Sequence, residues 1–290
     1  MKKYLILIPI YNDRESLTKL IENINLEVKN LESEISIVIV NDASSQQIVD
    51  NYQHTENINS IEIINMKENR GHARCIASGL KYIFEKKKFD YVIPMDGDGE
   101  DRPEEIKDFT QLADQSEDKS IIGERVKRSE SLIFKACYQA HKILTLAFTN
   151  HSIKFGNFTC LSKPTVEKML NEKATWNSFS GSLKKVEKDL LSIPSIRGTR
   201  YFGPSKMSFF NLLKHSLSII SVFRKTVLTR SALFIVFYIL LIKSNASIIT
   251  SLPLVLLLIM IYSISTLALR ENLDEFDKSL ENINSVDKIK

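Results

Sequence analysis

Strand-like and helix-like segments alternate through the first 125 residues, and this alternation constrains the fold more than any other feature. The clearest strand is Ile35–Val40, ISIVIV, which has the continuous β-branched character of a strand buried on both faces. Further strands are predicted at Leu5–Ile10, Ile61–Asn65, Tyr91–Met95 and Ser120–Gly123, and helices at Ser16–Val28, Ala73–Glu85 and Pro103–Ala113. Successive βαβ units predict an α/β domain with a mostly parallel sheet, whose ligands gather at the carboxyl ends of the strands.

The C-terminal part of the chain differs in composition from the rest. Leu190–Arg270 contains no Asp or Glu and nine Lys or Arg, whereas the remaining residues carry 30 basic and 35 acidic side chains. A stretch that is both basic and apolar suits an anionic membrane surface or an anionic lipid. Within it, residues 206–230 mix aromatic and aliphatic side chains with basic ones, which predicts juxtamembrane amphipathic helices.

Two transmembrane helices are predicted within residues 231–270. Ser247–Leu269 provides 23 residues without a charge, which is long enough to cross a bilayer. The segment before it, Thr226–Lys243, spans only if Arg230 and Lys243 extend their charged ends to the interfaces. A core helix or a helix lying in the membrane plane is the alternative for this first segment.

Basic residues flank the predicted hairpin on both sides, with Arg224, Lys225 and Arg230 on one flank and Arg270 on the other. This distribution of positive charge favours an orientation in which both ends of the hairpin lie in the cytoplasm. We therefore expect a multi-pass integral membrane protein whose large domain faces the cytoplasm, together with a polar cytoplasmic tail at residues 271–290.

The cysteine pattern and the N-terminal segment are also consistent with a large domain that faces the cytoplasm. Cys75, Cys137 and Cys160 are scattered and show neither a disulfide framework nor metal-type spacing, which is typical of a reducing compartment. The N-terminal MKKYLILIPIY is predicted to hold the first strand. A signal peptide is the alternative, but the apolar stretch is short, contains Pro9 and lacks a small-residue cleavage site.

The densest group of carboxylates follows the fourth predicted strand. Asp96, Asp98 and Glu100 alternate with glycines, and alternate residues of an extended chain project to one side. Converging carboxylates suit Mg²⁺ or Mn²⁺, which leave coordination positions for substrate phosphates. An EF-hand calcium loop fails, because Asp101 and Lys107 stand where it needs Gly and Glu. A solvated turn with helix-capping acids is the remaining alternative.

Four motifs in chain order carry a family resemblance. They are Pro9-Ile10-Tyr11-Asn12, Asn41-Asp42-Ala43-Ser44-Ser45, Asn69-Arg70-Gly71 leading through Ala73 to Gly79, and Asp96-Gly97-Asp98-Gly99-Glu100-Asp101-Arg102-Pro103-Glu104. They resemble the motifs P-x-Y-N, D-D-G-S-T, N-x-G…A…G and D-A-D-L-Q-D-P-P-E of the glycosyltransferase family 2 catalytic domain. The resemblance covers residues 4–210 and is strongest to the polyisoprenyl-phosphate branch, which includes dolichol-phosphate mannose synthases and shares the two-helix tail.

The resemblance implies a GT-A (Rossmann-like) domain over residues 1–205 that binds a nucleotide-diphosphate sugar. The implied donor contacts are Pro9, Tyr11, Asn12, Asp42, Asn69, Gly71 and Asp96. An Mg²⁺ or Mn²⁺ ion would be held by Asp96, Asp98 and Glu100, and Asp96, Asp98 and Arg125 are the implied catalytic residues. Asn41 in place of the first family Asp and Ala43 in place of Gly leave the choice of donor open, and Glu100 in place of Gln adds charge to the metal site.

Two further motifs resemble acceptor-binding motifs of that branch. Gly123-Glu124-Arg125 is similar to its G-x-R, and residues 200–206 are similar to its R-x-x-G-x-S-K. Guanidinium forks and an ammonium group suit a phosphate monoester, although a surface charge is the alternative for each lone Arg. The predicted acceptor-phosphate residues are Arg125, Arg128, Arg200, Ser205 and Lys206.

A phosphate acceptor is also favoured because the sequence shows no obvious general-base motif after the fifth predicted strand. A phosphate monoester is ionised at neutral pH and needs no general base, whereas a hydroxyl acceptor needs one. None of the six acids between the fifth predicted strand and Asp189 sits in an obvious base motif. This absence favours a phosphate acceptor, and the resemblance implies inverting transfer of a single sugar to a polyisoprenyl phosphate, of undecaprenyl or dolichyl type, at the cytoplasmic face.

Two other functions stay open. One is a family 2 enzyme that glycosylates a hydroxyl of a glycolipid or surface polysaccharide. The other is a non-catalytic nucleotide-sugar-binding membrane protein, which the altered Asn41-Asp42-Ala43 suggests. Chain polymerisation is disfavoured because no Q-x-x-R precedes Trp176, and no nucleic acid is expected as a partner because the basic stretch is embedded in apolar residues. A homo-oligomer is compatible with the sequence.

Overall fold

The protein is described by a computed structural model covering residues 1–48, 52, 55–127, 132–204 and 208–290. Arg128, Ser205 and Lys206, three of the predicted acceptor-phosphate residues, lie outside the described residues. The strands are β1 (Lys3–Ile10), β2 (Glu34–Asn41), β3 (Ser60–Met66), β4 (Tyr91–Pro94), β5 (Ile121–Lys127), β6 (Thr159–Ser162), β7 (Leu191–Ile196) and β8 (Ile283–Lys288). The helices are α1 (Arg14–Glu27), α2 (His72–Lys86), α3 (Ile106–Gln115), α4 (Leu132–Thr149), α5 (Lys163–Leu170), α6 (Phe179–Val186), α7 (Phe209–Ser221), α8 (Arg224–Ile242), α9 (Ile248–Ala268) and α10 (Leu273–Asp277).

The strands form one sheet in the order β7-β5-β6-β4-β1-β2-β3-β8. The central strands β4, β1, β2 and β3 pair in parallel, as do β5 and β7, while β6 and β8 run antiparallel to their neighbours. The predicted mostly parallel sheet is thereby confirmed. Ile10 at the end of β1 pairs with Asn41 at the end of β2, so the loops that follow these two strands start side by side.

Alternate residues of each central strand enter two different cores. Ile6 and Ile8 of β1 pack with α1 and α3 on one face, whereas Leu5 and Leu7 pack with α2, α5 and α6 on the other. Because both faces of the sheet are covered by helices, these strands are apolar at nearly every position. This explains why runs such as ISIVIV at 35–40 are continuous rather than alternating.

Three element boundaries near the site or at the apolar helices differ from the sequence prediction. β5 continues to Lys127, so Arg125 lies within a strand and not after it, and the pairing with β7 shifts register between Arg125 and Lys127. α8 begins at Arg224, so the first apolar helix takes in the last seven residues of the stretch 206–230 that was predicted as juxtamembrane. The helix predicted from Pro103 begins as a 3-10 turn, Pro103–Glu105, and becomes α-helical at Ile106.

The helices α8 and α9 are long and apolar enough to cross a membrane. Most of their surface is exposed, including Leu233 and Phe237 of α8 and Ile249 and Ile259 of α9. Exposed apolar surface of this extent marks contact with a membrane or a protein. The exposure argues against the alternative that α8 is a core helix of the domain.

The segment after α9 returns to the α/β domain, which was not foreseen from the sequence. Residues 271–290 were predicted only as a polar tail, but they form α10, the 3-10 turn Ser279–Asn282 and β8. β8 pairs antiparallel with β3, from Glu62 with Lys288 to Met66 with Ile283. Strand β8 therefore covers the edge of the sheet that β3 would otherwise expose.

Candidate active site

A tight turn at the carboxyl end of β4 carries the acidic cluster. The Asp101 carboxylate accepts a hydrogen bond from the backbone N–H of Asp96 at 2.9 Å, and the Asp98 carboxylate accepts one from the N–H of Glu100 at 3.0 Å. Gly99 adopts φ +86°, a left-handed conformation that favours glycine. Two of the four acids thus hold the backbone of their own turn.

Basic side chains from distant parts of the chain surround this turn. The Arg200 guanidinium donates to Asp98 at 2.6 Å and also to Asp13, which lies just before α1. Arg197 pairs with Glu100. His72 Nε2 lies 3.2 Å from an Asp96 oxygen. Each of the three predicted metal ligands therefore has a cationic or titratable partner of its own.

The electrostatic effects on the acids run in opposite directions. Burial and the nearby Asp96 charge together raise the pKa of Asp98 to about 6, against the lowering effect of Arg200. Burial also acts to raise the pKa of Asp96, but the hydrogen bond and charge of His72, together with the charges of Arg197 and Arg125, outweigh burial and the pKa falls. Burial raises the pKa of Asp101 well above its usual range. The charge of Asp96 thus disfavours a second full negative charge on Asp98.

The three predicted metal ligands are not gathered into one cluster. Among the described residues, no group of three or more His, Cys, Asp or Glu side chains is arranged to hold a metal ion. Glu100 turns to Arg197, whereas Asp96 and Asp98 stay within electrostatic reach of each other. Mg²⁺ is commonly bound by one or two carboxylates plus substrate phosphates, and the pair Asp96 and Asp98 fits that donor set.

The predicted catalytic Arg125 lies beside the acidic turn, and its charge lowers the pKa of Asp96. Its guanidinium covers Gly156, where an added Cβ would lie 2.4 Å from Nη2 of Arg125. The next residue, Asn157, donates to Asp96 at 3.3 Å and lies 2.7 Å from His72 Nε2. The segment 155–158 therefore both makes room for Arg125 and contacts the acidic turn.

Two loops at the ends of β1 and β2 meet beside the acidic turn and carry the predicted donor contacts. Asn12 accepts through Oδ1 from the backbone N–H of Ser45 at 2.8 Å and donates its own N–H to Ser44 Oγ at 2.9 Å. Asn41, which replaces an acid of the family motif, is used internally: its side chain accepts from the N–H of Ser44 and donates to Asn65. These contacts fix the two loops to each other.

Asp42 connects the second of these loops to the loop before α2. Its two carboxylate oxygens accept the backbone N–H groups of Arg70 and Gly71, each at 2.9 Å. Burial raises the pKa of Asp42, and these two hydrogen bonds oppose the rise. Gly71 has φ +91° and precedes the first turn of α2. The loop 69–71 is thus held against Asp42 by its backbone.

The remaining predicted donor residues differ in accessibility. Tyr11 and Asn69 are exposed at the mouth of these loops, while Pro9 is buried within β1. His72, Asn157, Arg197 and Asp13 are site residues outside the predicted donor, metal, catalytic and acceptor sets. His72 and Asp13 directly follow residues of quoted motifs. Arg197 carries no local signal.

Gly99→Ala is expected to lower the free energy of unfolding by about 1–3 kcal/mol. An added Cβ would lie 2.5 Å from the Tyr201 ring, whose hydroxyl accepts from Asn23 at 2.8 Å, and the positive φ adds backbone strain. Gly203→Ala is the matched control, because Gly203 also has a positive φ but nothing within 4 Å of the added atom. Thermal denaturation measures both, and an equal loss in the two variants would show that the Tyr201 contact contributes nothing.

Comparison with known proteins assigns the chain to a family. The sequence profile of Glycosyl transferase family 2 matches residues 5–173. The chain belongs to glycosyltransferase family 2. The matched range runs from β1 past the acidic turn and Asn157 into the residues before α6. It ends before Arg197 and Arg200, so the cations of this family 2 chain that pair with Glu100 and Asp98 come from outside the matched region.

A curated relative and two solved structures resemble this family 2 chain. The undecaprenyl-phosphate 4-deoxy-4-formamido-L-arabinose transferase of Photorhabdus laumondii is 30% identical over 229 residues, covering 73% of this chain and 65% of that protein. The match thus spans less than two-thirds of the relative's length. Glucosyl-3-phosphoglycerate synthase from Mycobacterium tuberculosis, in complex with Mn²⁺, UDP and phosphoglyceric acid, has a TM-score of 0.55 at 11% identity, covering 79% of this chain and 78% of that one. A mannosyltransferase from Pyrobaculum calidifontis, in complex with GDP-Man and Mn²⁺, has a TM-score of 0.50 at 14% identity, covering 96% and 87%.

At these identities the structural likeness shows the fold alone. It confirms the predicted GT-A-like α/β fold with a mostly parallel sheet. The roles of the individual site residues, the metal and the acceptor remain predictions.

Proposed function

We propose that this chain transfers a single sugar, with inversion, from a nucleotide-diphosphate sugar to a polyisoprenyl phosphate at the cytoplasmic face of a membrane. The observation that carries the proposal is the placement of charge at the ends of the strands. The carboxylates of Asp96 and Asp98 lie within electrostatic reach of each other and next to the guanidinium groups of Arg125 and Arg200. Such a site has carboxylates to bind a divalent ion that bridges a pyrophosphate, and cations to bind an anionic acceptor.

The position of these arginines relative to the apolar helices supports a lipid acceptor. The chain leads from Arg125 at the end of β5 into α4, and α4 contacts α7 and α8. From Arg200 the chain leads to α7, which contacts α9. Both guanidinium groups thus stand at points where the chain passes from the site to the helices proposed to enter the membrane. A lipid phosphate held at the membrane surface would be presented from that side.

The proposed reaction is a single displacement. An oxygen of the acceptor phosphate forms a bond to the anomeric carbon while the bond from that carbon to the diphosphate oxygen breaks, and the nucleoside diphosphate leaves. Asp96 and Asp98 would hold Mg²⁺ or Mn²⁺, which when bound stabilises the negative charge developing on the leaving group. Arg125 and Arg200 would orient the acceptor phosphate.

The surroundings of the candidate bases support an acceptor that is already ionised. The acids considered as bases after the fifth predicted strand were Glu124, Glu130, Glu167, Glu172, Glu187 and Asp189. Four of them pair with lysines: Glu124 with Lys154, Glu172 with Lys185, Glu187 with Lys168, and Asp189 with Lys119. Glu167 is exposed on α5, and Glu130 lies outside the described residues. An acceptor phosphate needs none of them.

A nucleoside diphosphate and a divalent ion together are expected to raise the melting temperature more than either does alone. A ligand that binds only the folded protein stabilises it, and the ion and the diphosphate would share one site. The measurement is a thermal-shift series with UDP, GDP, CDP and dTDP, each with Mg²⁺, with Mn²⁺ and with chelator. Radiolabelled sugar nucleotide incubated with membranes then identifies the acceptor, because a sugar phosphodiester product is released by mild acid whereas a glycoside of a hydroxyl resists it. An acid-stable lipid product would contradict the phosphate acceptor, and no shift with any diphosphate would contradict the donor.

A further inference from the structure

The segment that follows α9 reaches the loop proposed to bind the donor. α9 ends at Ala268, and α10 begins five residues later and packs against α2 and the 3-10 turn Lys173–Trp176. Phe276 of α10 stacks on Trp176 with ring centroids 5.4 Å apart, and both side chains are almost fully buried. This stack fixes α10 on the catalytic domain within a few residues of the apolar hairpin.

Both carboxylate oxygens of Glu275, the residue before Phe276, accept hydrogen bonds. Oε1 accepts from Nη1 of Arg70 at 2.5 Å. Oε2 accepts from the indole Nε1–H of Trp176 at 2.9 Å and lies 3.2 Å from Nη2 of Arg74, whose guanidinium covers the Trp176 ring. The backbone N–H of Glu275 donates to the Asn272 side chain, which caps α10. The carboxylate is therefore oriented from several sides, and it joins α10 to two arginines.

Arg70 links this contact to Asp42. Its side chain binds Glu275, and its backbone N–H donates to one oxygen of Asp42 while the N–H of Gly71 donates to the other. Glu68 also binds the Arg70 guanidinium, but it belongs to the same loop and cannot anchor that loop to another element. The ion pair with Glu275 is thus a tertiary restraint acting on the residue whose backbone contacts Asp42.

A second contact from the same segment reaches the loop after β2. The Asn65 side chain donates to Asp287 of β8 at 2.6 Å and to Ser285 at 3.0 Å, and it accepts from Asn41, the neighbour of Asp42. Residues of α10 and β8 therefore approach Asp42 from two directions, through Arg70 and through Asn41.

We propose that Glu275 is a positioning residue for donor binding: it holds Arg70 so that the backbone of the loop 69–71 stays against Asp42. This inference rests on the proposed function, since it takes Asp42 and this loop as the donor side of the site. It also implies that the hairpin and the donor side are connected through only a few residues, from Ala268 to Glu275. Glu275 itself touches neither the acidic turn nor any group assigned to the reaction.

Glu275→Gln is expected to speed amide hydrogen exchange in the loop 67–72 and to raise the Kd for a nucleoside diphosphate about fivefold or more. The amide keeps the shape of the side chain but loses the charge that binds Arg70. In turnover assays the KM for the sugar nucleotide should rise while the KM for the lipid phosphate stays the same. A general loss of folded protein would not raise the KM for the sugar nucleotide while leaving the KM for the lipid phosphate unchanged.

Asp277→Asn is the matched control. Asp277 lies on the same short helix and pairs with a cation of α2, Lys81, at 3.4 Å, but it contacts no residue of the loop. The variant removes the same charge and should leave both loop exchange and Kd at wild-type values. Arg70→Gln removes the same ion pair without altering α10, and Glu275→Gln added to it should have little further effect on Kd.

The measurements use the full chain in detergent or nanodiscs, with exchange followed by mass spectrometry and binding by titration of UDP, GDP, CDP and dTDP with Mn²⁺. Faster loop exchange and weaker binding in Glu275→Gln, with neither in Asp277→Asn, is the expected result. Unchanged loop exchange in Glu275→Gln would overturn the inference whatever the ligand. Faster exchange in a protein whose wild type binds no nucleoside diphosphate would leave the loop restraint established and refute the proposed function.

Discussion

Asp98→Asn is expected to reduce sugar transfer by at least about a hundredfold, because it removes one of the two carboxylates that fit a divalent ion. The fold should survive the change. The asparagine Oδ1 can still accept the N–H of Glu100, and Arg200 keeps its second partner, Asp13. Burial and the Asp96 charge raise the pKa of Asp98 to about 6, so the fold disfavours its charged form, and neutralising it should not lower the melting temperature.

Transfer of labelled sugar and the Mn²⁺-dependent thermal shift measure this effect. Glu100→Gln is the control, because it removes a carboxylate from the same turn that pairs with Arg197 and lies apart from the Asp96 and Asp98 pair. We expect it to retain activity within about tenfold of wild type. Full activity in Asp98→Asn would contradict the metal role. A loss in Glu100→Gln as large as that in Asp98→Asn would instead support the three-carboxylate site predicted from the sequence.

Arg125→Ala is expected to lower kcat/KM for the lipid phosphate by about a hundredfold, because a hydrogen bond between charged groups is lost. The Kd for a nucleoside diphosphate with Mn²⁺ should not rise, because removing a cation near Asp96 removes a competitor of the metal ion. Lys would not replace Arg fully, since an ammonium lacks the planar fork that binds a phosphate through two donors.

Lys154→Gln provides the charge-matched control for Arg125→Ala. Lys154 lies close by, with its backbone carbonyl accepting from the N–H of Arg125, but its ammonium pairs with Glu124 at 2.8 Å and is half exposed. Its loss should change kcat/KM by no more than about threefold. An equal fall in both variants would mean that Arg125 contributes only general positive charge and makes no specific phosphate contact.

The two apolar helices and the central strands were predictable because their signals are local. A charge-free run such as Ser247–Leu269 and a β-branched run such as Ile35–Val40 each identify an element from consecutive residues alone. The motifs at the ends of β1, β2 and β4 could be predicted to form one site, because parallel strands bring their carboxyl ends to one edge of the sheet. The boundaries were less certain, as the extension of β5 through Arg125 shows.

The partners of the charged side chains were not predictable from any local pattern. Glu100 and Arg197 are 97 positions apart, and Asn157 and Asp96 are 61 apart. Nothing in the stretch DGDGED indicates that its third acid turns away to an arginine after β7. The same holds for β8, whose short polar sequence becomes a strand only because β3 offers it an edge.

By itself, the amino-acid sequence determined the order of strands and helices over the first 125 residues, the apolar hairpin, the family, and the acids at the end of β4. These depend on hydrophobic periodicity and on residues a few positions apart. Tertiary structure alone decided which acids stay together, which cations meet them, and that α10 and β8 return to the donor side. The physical reason is that an ion pair or a strand pairing between distant segments forms only where the folded topology brings the two segments together. Such a contact must also offset the entropy of closing the loop between them, and neither segment's own sequence encodes that cost.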